Sequence, residues 1–302
     1  MKKLIIILIF PLSFTVQAQL DPLYNQYFFN QAIINPAYTG VNDVFNATAI
    51  SRTQWAGIDG APITNTLNVS TSAFKNKVGL GSLLIYDSYG INNNTEFNLA
   101  ASYKIDLARN SIFSFGLQGG IINYNYNYQR LNLEYLDDAV LLNTAEQVTK
   151  PNFGFGAWYM SKNYYVGISV PRVFDINVDD GSSESTRYRR HFYVSAGYIF
   201  DQLFAVKFKP SILIMYVDSD NYAIDLNGSF LLNEVLWVGA SFRNFTTVGL
   251  NAQLKVKENF KFGYGFELPL YNSALIGFGT HSLMASIDLE VFSRHALGRR
   301  FF

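Results

Sequence analysis

Apolar and polar residues alternate along most of this chain, from about Ile63 to Val291. The last such segment contains two interleaved sets, Leu283, Ala285, Ile287, Leu289 and Val291 in one and Ser282, Met284, Ser286, Asp288 and Glu290 in the other. Because successive side chains of a strand point to opposite faces, each set occupies its own face. One face suits lipid and the other suits water, which is typical of a membrane-spanning β-barrel.

The alternation predicts an all-β, antiparallel up-and-down barrel of about fourteen strands. The predicted strands are 44–54, 63–73, 78–87, 94–105, 111–125, 152–160, 164–170, 191–200, 204–217, 222–232, 235–243, 246–257, 260–270 and 281–292. An even number lets the barrel close without an exposed edge, as lipid requires. A water-soluble sandwich is the alternative, and the long series of consecutive hairpins disfavours it.

Charged residues fall on one parity of these strands, the parity opposite to the apolar set. They are Glu96, Lys104, Lys207, Lys209, Asp225, Arg243, Lys255, Lys257, Lys261, Glu267, Asp288 and Glu290. A Lys or Arg facing lipid at mid-depth costs about 2–4 kcal/mol. We therefore predict that these side chains face the lumen.

Connection lengths predict the orientation of the barrel. The longer connections follow odd-numbered strands and include Trp55–Pro62, Tyr126–Pro151, Pro171–Arg190 and Tyr271–Thr280. The connections after even-numbered strands are short, and one of them is Asp201–Gln202. Bacterial barrels have short periplasmic turns and longer outer loops. This pattern predicts a bacterial outer-membrane protein with both termini in the periplasm.

The first 18 residues read as a secretory signal peptide. Met1-Lys2-Lys3 is basic, an apolar stretch follows, and Val16-Gln17-Ala18 resembles a cleavage site. The predicted division of the mature chain is an N-terminal segment (19–43), the barrel (44–292) and a C-terminal tail (293–302). The chain has no cysteine, so it has no acylated cysteine and no disulfide.

Composition agrees with a barrel and excludes other classes. Hydrophobic residues make up 49% and aromatic residues 16% of the chain, whereas charged residues make up only 15%, against about 25% in ordinary globular domains. After the signal region, no apolar run reaches the ~18 residues that a transmembrane helix needs. The net charge is zero, so the basic bias of a nucleic-acid-binding protein is missing.

Residues 19–43 do not alternate and form a separate region. This region carries the aromatic residues Tyr24, Tyr27, Phe28, Phe29 and Tyr38, with turn sequences at Asn35-Pro36 and Thr39-Gly40. One interpretation is a plug of the lumen or a periplasmic docking segment. The other is a strap that packs passively against the barrel mouth.

Several sequence blocks resemble the PorP/SprF family of the type IX secretion and gliding-motility machinery of Bacteroidota. These blocks are DPLYNQY (21–27), NPAYTG (35–40), RTQWAGIDGAPIT (52–64), KPS (209–211) and GTHSLM (279–284). The resemblance extends over nearly the whole mature chain. The tail from Ser293 to Phe302 continues beyond the last predicted strand, and we assign it no role.

The resemblance implies a non-enzymatic outer-membrane barrel that needs no cofactor. Such a protein would support the export or anchoring of surface proteins with a C-terminal sorting domain, such as gliding adhesins. Its implied partners are this cargo and the periplasmic secretion machinery, together with outer-membrane lipids and no nucleic acid. A passive diffusion porin is the alternative function, and an outer-membrane hydrolase is a weaker one.

Candidate partner-binding residues form two groups. The first group is aromatic and lies in the N-terminal segment: Tyr24, Tyr27, Phe28 and Phe29. The second group, Arg52, Gln54 and Trp55, lies at the outer end of the first predicted strand. Trp55 could equally be an interfacial anchor of the membrane.

Catalytic and metal sites have little support in the sequence. Only His191, His281 and His295 could serve as a catalytic base, and Ser282 follows His281 directly, so the two face opposite sides of a strand. The acidic stretch that begins at Asp175 resembles a calcium loop but lacks its glycine and its glutamate at the required positions. We predict no catalytic, cofactor or metal residue.

Overall fold

The computed structural model describes residues 27–108, 111–126, 147–179, 184–203, 206–217, 221–270 and 279–290. Seventeen strands lie in these ranges. They are β1 Phe45–Thr53, β2 Ile63–Ala73, β3 Val78–Tyr89, β4 Asn92–Ala108, β5 Ser111–Tyr126, β6 Gln147–Met160, β7 Tyr164–Val170, β8 Ile176–Asp179, β9 Glu184–Tyr188, β10 Phe192–Tyr198, β11 Phe200–Leu203, β12 Val206–Tyr216, β13 Tyr222–Leu232, β14 Leu236–Arg243, β15 Thr247–Val256, β16 Phe260–Pro269 and β17 Thr280–Leu289.

The strands form a closed fourteen-strand antiparallel barrel. Consecutive barrel strands pair with each other, and β1 closes the barrel by pairing with β17, with Ala49 opposite Ala285. β10 pairs with both β7 and β12, and the short β11 follows β10 after Ile199 and pairs with the same β12. β8 and β9 form a separate two-stranded hairpin within the connection from β7 to β10.

The predicted strands are confirmed, with three differences. β6 begins at Gln147, so part of the predicted Tyr126–Pro151 loop is strand. The predicted Pro171–Arg190 loop contains the β8–β9 hairpin. The prediction of a turn at Asp201–Gln202 is wrong, because both residues belong to β11. β11 pairs irregularly with β12, with a register shift between Phe200 and Leu203, so inward and outward residues do not alternate regularly in this strand.

Side-chain parity follows the prediction along the strands. Lys104, Lys209, Asp225 and Glu267 are buried inside the barrel, whereas the opposite parity carries exposed apolar side chains such as Leu283. The predicted inward position is wrong for Lys257 and Glu290. Lys257 occupies a turn with φ of 56°, and Glu290 follows the end of β17. Residues beyond a strand end have no inward side, so parity cannot place them.

The barrel has two rims, which differ in the connections they carry. The short-turn rim contains the start of β1 and the end of β17, and the long-loop rim contains the connection from β1 to β2 and the connection from β7 to β10. In the described part of the chain, no helix is long and apolar enough to span a membrane. The predicted signal peptide (1–18) and C-terminal tail (293–302) lie outside the described residues.

Candidate functional site

Residues 27–44 lie inside the barrel and are called the luminal segment below. They form two short 3-10 turns, Gln31–Ile33 and Pro36–Tyr38. Each turn has an asparagine cap: the side-chain oxygen of Asn30 accepts a hydrogen bond from the Ala32 N–H, and that of Asn35 accepts one from the Ala37 N–H. These caps stop the chain from extending, so the segment can fill the lumen as a compact coil.

Two apolar clusters hold the luminal segment against the wall. In the first cluster, Tyr27 and Phe28 are 1% and 2% exposed and pack with luminal side chains such as Leu213 and Met215. In the second cluster, Tyr38 packs edge-to-face on the fully buried Trp158 of β6 at 5.0 Å between ring centroids. Burying such side chains stabilises by about 25 cal/mol per Å², so the irregular aromatic stretch serves as a core.

Wall side chains also bind the backbone of the luminal segment. The Ser102 hydroxyl donates to the Thr39 carbonyl at 2.7 Å, and the Lys104 ammonium donates to the Gly40 carbonyl at 2.6 Å. Lys104 is also ion-paired with Asp43. The charge on β4 is therefore neutralised by the segment itself, as a buried charge requires.

A second group of hydrogen bonds lies at the middle of the segment. The Asn35 side-chain N–H group donates to the carbonyls of Ala157 at 3.1 Å and Ile168 at 3.2 Å, on β6 and β7. The Ser169 hydroxyl donates to the Ile34 carbonyl at 2.6 Å. Asn35 thus caps a turn with its oxygen and fastens that turn to the wall with its nitrogen.

Wall glycines let the two backbones touch. A Cβ on Gly116 of β5 would overlap the backbone of Pro36 and Ala37, and a Cβ on Gly79 of β3 would overlap the Thr39 carbonyl. Glycine in a strand often marks such a close approach of another backbone. The luminal segment therefore fits a groove that is specific to its path.

A network of two arginines and two carboxylates lies in the lumen near the long-loop rim. Arg52 of β1 pairs with Glu267 at 3.0 Å, and Arg243 of β14 pairs with Glu267 at 3.1 Å and with Asp225 at 2.8 Å. Glu267 and Asp225 are 3% and 2% exposed. The charges balance, and the network joins β1, β13, β14 and β16 across the lumen.

A second charged network surrounds Glu96 of β4. Arg172, which follows β7, donates to Glu96 from Nε at 3.0 Å and from Nη2 at 2.5 Å. Asn98 donates to the other carboxylate oxygen at 2.5 Å, and Asn152 donates to Asn98 at 2.9 Å. Both carboxylate oxygens are therefore satisfied inside the barrel wall.

The predicted site residues do not form a single surface. Tyr27 and Phe28 are buried in the lumen and Phe29 is partly buried, so they form a core, while Tyr24 lies outside the described residues. Arg52 points into the lumen and donates to the Gln54 side chain at 2.8 Å. Their role in binding a partner stays a prediction.

The connection from β1 to β2, residues 54–62 and called the rim loop below, is hydrogen-bonded to its neighbours at the long-loop rim. Trp55 has φ of 48°, unusual for a bulky residue. The Ala56 N–H donates to the Gly279 carbonyl and the Gly90 N–H donates to the Gly60 carbonyl, both at 2.9 Å. The loop thus joins β17, β1 and the β3–β4 turn.

Sequence reasoning missed several residues that fasten the lumen. Arg172 and Asp43 lie outside the predicted strands, so parity gave them no direction. Asn35 was assigned only to a turn, although its side chain also bonds two wall strands. The signal that could have pointed to a partner for Lys104 was its predicted inward position, since a buried ammonium group needs a partner.

His281 and Ser282, which are adjacent in the sequence, face opposite sides of β17. His281 faces outward and lies 2.7 Å from the Tyr264 hydroxyl, while Ser282 is buried on the luminal side. His191 Nδ1 lies 2.7 Å from the Arg189 carbonyl. The described residues also contain no cluster of three or more His, Asp or Glu side chains suited to a metal ion.

These features define an outer-membrane-type β-barrel that encloses a segment of its own chain. The family model of the type IX secretion system membrane protein PorP/SprF matches residues 16–287. The chain therefore belongs to the PorP/SprF family, as the sequence blocks indicated.

Solved structures with a similar fold are outer-membrane proteins and porins. Omp33 of Acinetobacter baumannii is 11% identical, with a TM-score of 0.49, over 82% of this chain and 98% of its own. KdgM porin is 12% identical, with a TM-score of 0.41, over 82% and 99%. A triple mutant of Rhodopseudomonas blastica porin is 10% identical, with a TM-score of 0.37, over 82% and 99%. No curated protein sequence matches this chain.

Proposed function

We propose that this barrel is a non-enzymatic component that supports the export or surface anchoring of proteins carrying a C-terminal sorting domain, such as gliding adhesins. Membership of a type IX secretion family supports this proposal. The proposed partners are the cargo on the outer side and the secretion machinery on the periplasmic side. In the proposed orientation, the short-turn rim and both termini face the periplasm.

The observation that carries the proposal is the occupied lumen. Residues 27–44 fill it with two apolar clusters and are fastened by side chains of β4, β6 and β7. Two cavities beside the segment have volumes of about 40 Å³ and about 20 Å³, which is room for only a few water molecules. A diffusion porin instead has an aqueous channel, so the occupied lumen favours a role at the rims.

Within this proposal, the luminal segment and the rim loop are the parts that contact partners. The segment reaches the short-turn rim through Val44, directly before β1. The rim loop, with Trp55 half-buried and Asp59 exposed, presents a hydrogen-bonded surface at the opposite rim. Arg52 and Gln54 support this loop from below, so their contribution to partner binding is indirect.

The proposal is tested by deleting the gene and following a surface protein that carries a C-terminal sorting domain. We expect the surface protein to be retained inside the cell or released to the medium, while uptake of ordinary solutes is unchanged. A variant with Tyr27→Ala, Phe28→Ala and Phe29→Ala should assemble its strands and still fail to restore surface display. In the wild type the buried Tyr27 and Phe28 stabilise the luminal segment, and truncating a fully buried aromatic side chain to alanine costs about 3–5 kcal/mol.

The porin alternative makes the opposite prediction for the same strain. Reduced solute uptake together with normal surface display would support a porin and exclude the secretion role. Normal display with the triple-alanine variant would show that the luminal segment is not a contact site for partners. Assembly of each variant is checked by its heat-modifiable migration in a detergent gel.

A further inference from the structure

The residues directly after β7 do not leave the barrel wall. Pro171–Asp175, called the strap below, crosses the long-loop rim: Pro171 and Arg172 face the lumen, whereas the Phe174 ring packs against the outward-facing Phe153 ring at 6.1 Å between centroids. The Pro171 carbonyl accepts hydrogen bonds from the side chains of Gln118 at 2.9 Å and Asn152 at 3.3 Å. The Val173 N–H donates to the Phe153 carbonyl at 2.9 Å. The strap is thus attached to β5 and β6 by backbone groups.

The strap covers the luminal segment at this rim. A cavity of about 20 Å³ lies between them, bounded by Ile33 and Ile34 below and by Pro171 and Arg172 above. The strap continues into the β8–β9 hairpin, which belongs to a separate sheet. It therefore connects the β8–β9 hairpin to the surface of the luminal segment.

Arg172 is one of the side-chain attachments of the strap, beside the Asp175 carboxylate, which accepts a hydrogen bond from the Arg190 N–H at 2.6 Å. The Arg172 guanidinium makes two hydrogen bonds to Glu96, which is 6% exposed and lies on a barrel strand. The carboxylate is therefore a fixed part of the wall, whereas its cation is supplied by a connecting segment. Glu96 is also bonded by Asn98 and faces Asn152, so its site is complete apart from the cation.

We propose that the strap is a lid and that Glu96 is a binding site for a basic side chain, which Arg172 occupies when the lid is closed. The outside ligand is an arginine side chain of a partner polypeptide at the long-loop rim. When that side chain takes the place of Arg172, the strap is released and the surface formed by Ile33 and Ile34 is uncovered. This proposal stands independently of the secretion role.

The physical reason for this exchange is the cost of an unpaired buried charge. Moving Arg172 away without a replacement leaves Glu96 buried and unpaired, which makes the open state less populated by about 10²–10⁴-fold. A partner that brings its own guanidinium restores both hydrogen bonds, and a guanidinium matches a carboxylate better than an ammonium does. The lid therefore stays closed alone and opens with a ligand of this chemistry.

The lid is tested by thiol labelling, because the chain has no cysteine of its own. The reporter is Ile34→Cys in purified protein, and the control is Ala37→Cys, which is buried in the second apolar cluster. We expect Arg172→Ala to increase the labelling rate at position 34 at least tenfold and to leave the rate at position 37 unchanged. Equal rates at position 34 with and without Arg172 would overturn the lid.

A second variant covers the case in which Arg172→Ala does not fold. Glu96→Gln combined with Arg172→Ala removes both charges, so no buried carboxylate is left unpaired, and labelling at position 34 should again be fast. Arg172→Lys keeps the pair and should label slowly. Slow labelling in the double variant would contradict a lid held by this pair.

The binding site is tested with N-acetyl-argininamide as the probe and N-acetyl-leucinamide as the control. The arginine compound should raise the unfolding temperature of the Arg172→Ala protein in a concentration-dependent way, because it binds the folded state. In a protein that keeps Arg172, the compound must compete with the Arg172–Glu96 pair, so it should speed labelling at Ile34→Cys only at a much higher concentration. It should have no effect on the double variant, which lacks the carboxylate. A rise in the double variant equal to that in Arg172→Ala would overturn the assignment of Glu96.

Discussion

At the scale of single residues, the positions that matter most here are small or polar residues facing the lumen. Gly79 and Gly116 are needed because backbone lies against them, and Asn35 is needed for both its oxygen and its nitrogen. In a strand pattern the two glycines look like ordinary inward positions, and Asn35 lies in a turn of the luminal segment. The roles of all three depend on how this segment packs on the wall.

The substitution Gly116→Ala should loosen the luminal segment. Its Cβ would overlap the backbone of Pro36 and Ala37, and backbone cannot move aside as a flexible side chain can. Overpacking of this kind costs about 1–3 kcal/mol. We expect a lower unfolding temperature in detergent and faster thiol labelling at Ala37→Cys.

The matched control is Gly119→Ala on the same strand. A Cβ there would lie 3.7 Å from the Phe153 ring, which is ordinary contact. Its unfolding temperature should stay close to that of the wild type. If both alanine variants behaved alike, the effect would come from the strand and not from the luminal segment.

At the scale of elements, the luminal segment acts as the core of the barrel. Its aromatic residues pack on inward side chains of the wall, and its carbonyls accept hydrogen bonds from Ser102, Lys104 and Ser169. The remaining wall is rich in polar inward residues such as Asn251 and Gln253. This polar lining would suit water if the segment were removed.

Deletion of residues 27–43 should therefore convert the protein into a pore. The full-length protein in a planar lipid bilayer should show little ion conductance, and the deletion should raise it several-fold. The control is the Gly119→Ala variant, which leaves the luminal segment in place and should conduct as little as the full-length protein. A full-length protein that conducts as well as the deletion would contradict a filled lumen.

At the scale of the whole molecule, orientation decides which partners each rim can reach. The long connections predict that the rim with Asp59 is outside and the rim with Lys75 is periplasmic. Both side chains are exposed, so each is a suitable labelling site in a chain without cysteine.

We expect Asp59→Cys to react with a membrane-impermeant thiol reagent on intact cells and Lys75→Cys to react only after the outer membrane is permeabilised. Both should react equally in purified protein, which serves as the control for access. The reverse pattern on intact cells would place the short turns outside and invert the proposed topology.

The amino-acid sequence alone determined the class and the strands of this protein. A period of two over fourteen segments and charges on one parity are local signals, and lipid enforces them because a misplaced charge or an unpaired backbone group is costly there. For the same reason, β2, β7 and β13 coincide with their predicted ranges. The family resemblance was also readable from sequence blocks without any fold.

Only the tertiary structure decided how the lumen is filled and fastened. Residues 27–44 have no period, so nothing local tells whether their aromatic residues lie in the lumen or at the rim. The pairs Lys104–Asp43 and Arg172–Glu96 join residues 61 and 76 positions apart. Such contacts arise because barrel closure brings distant strands and loops around one space, and a buried charge there is stable only beside its partner.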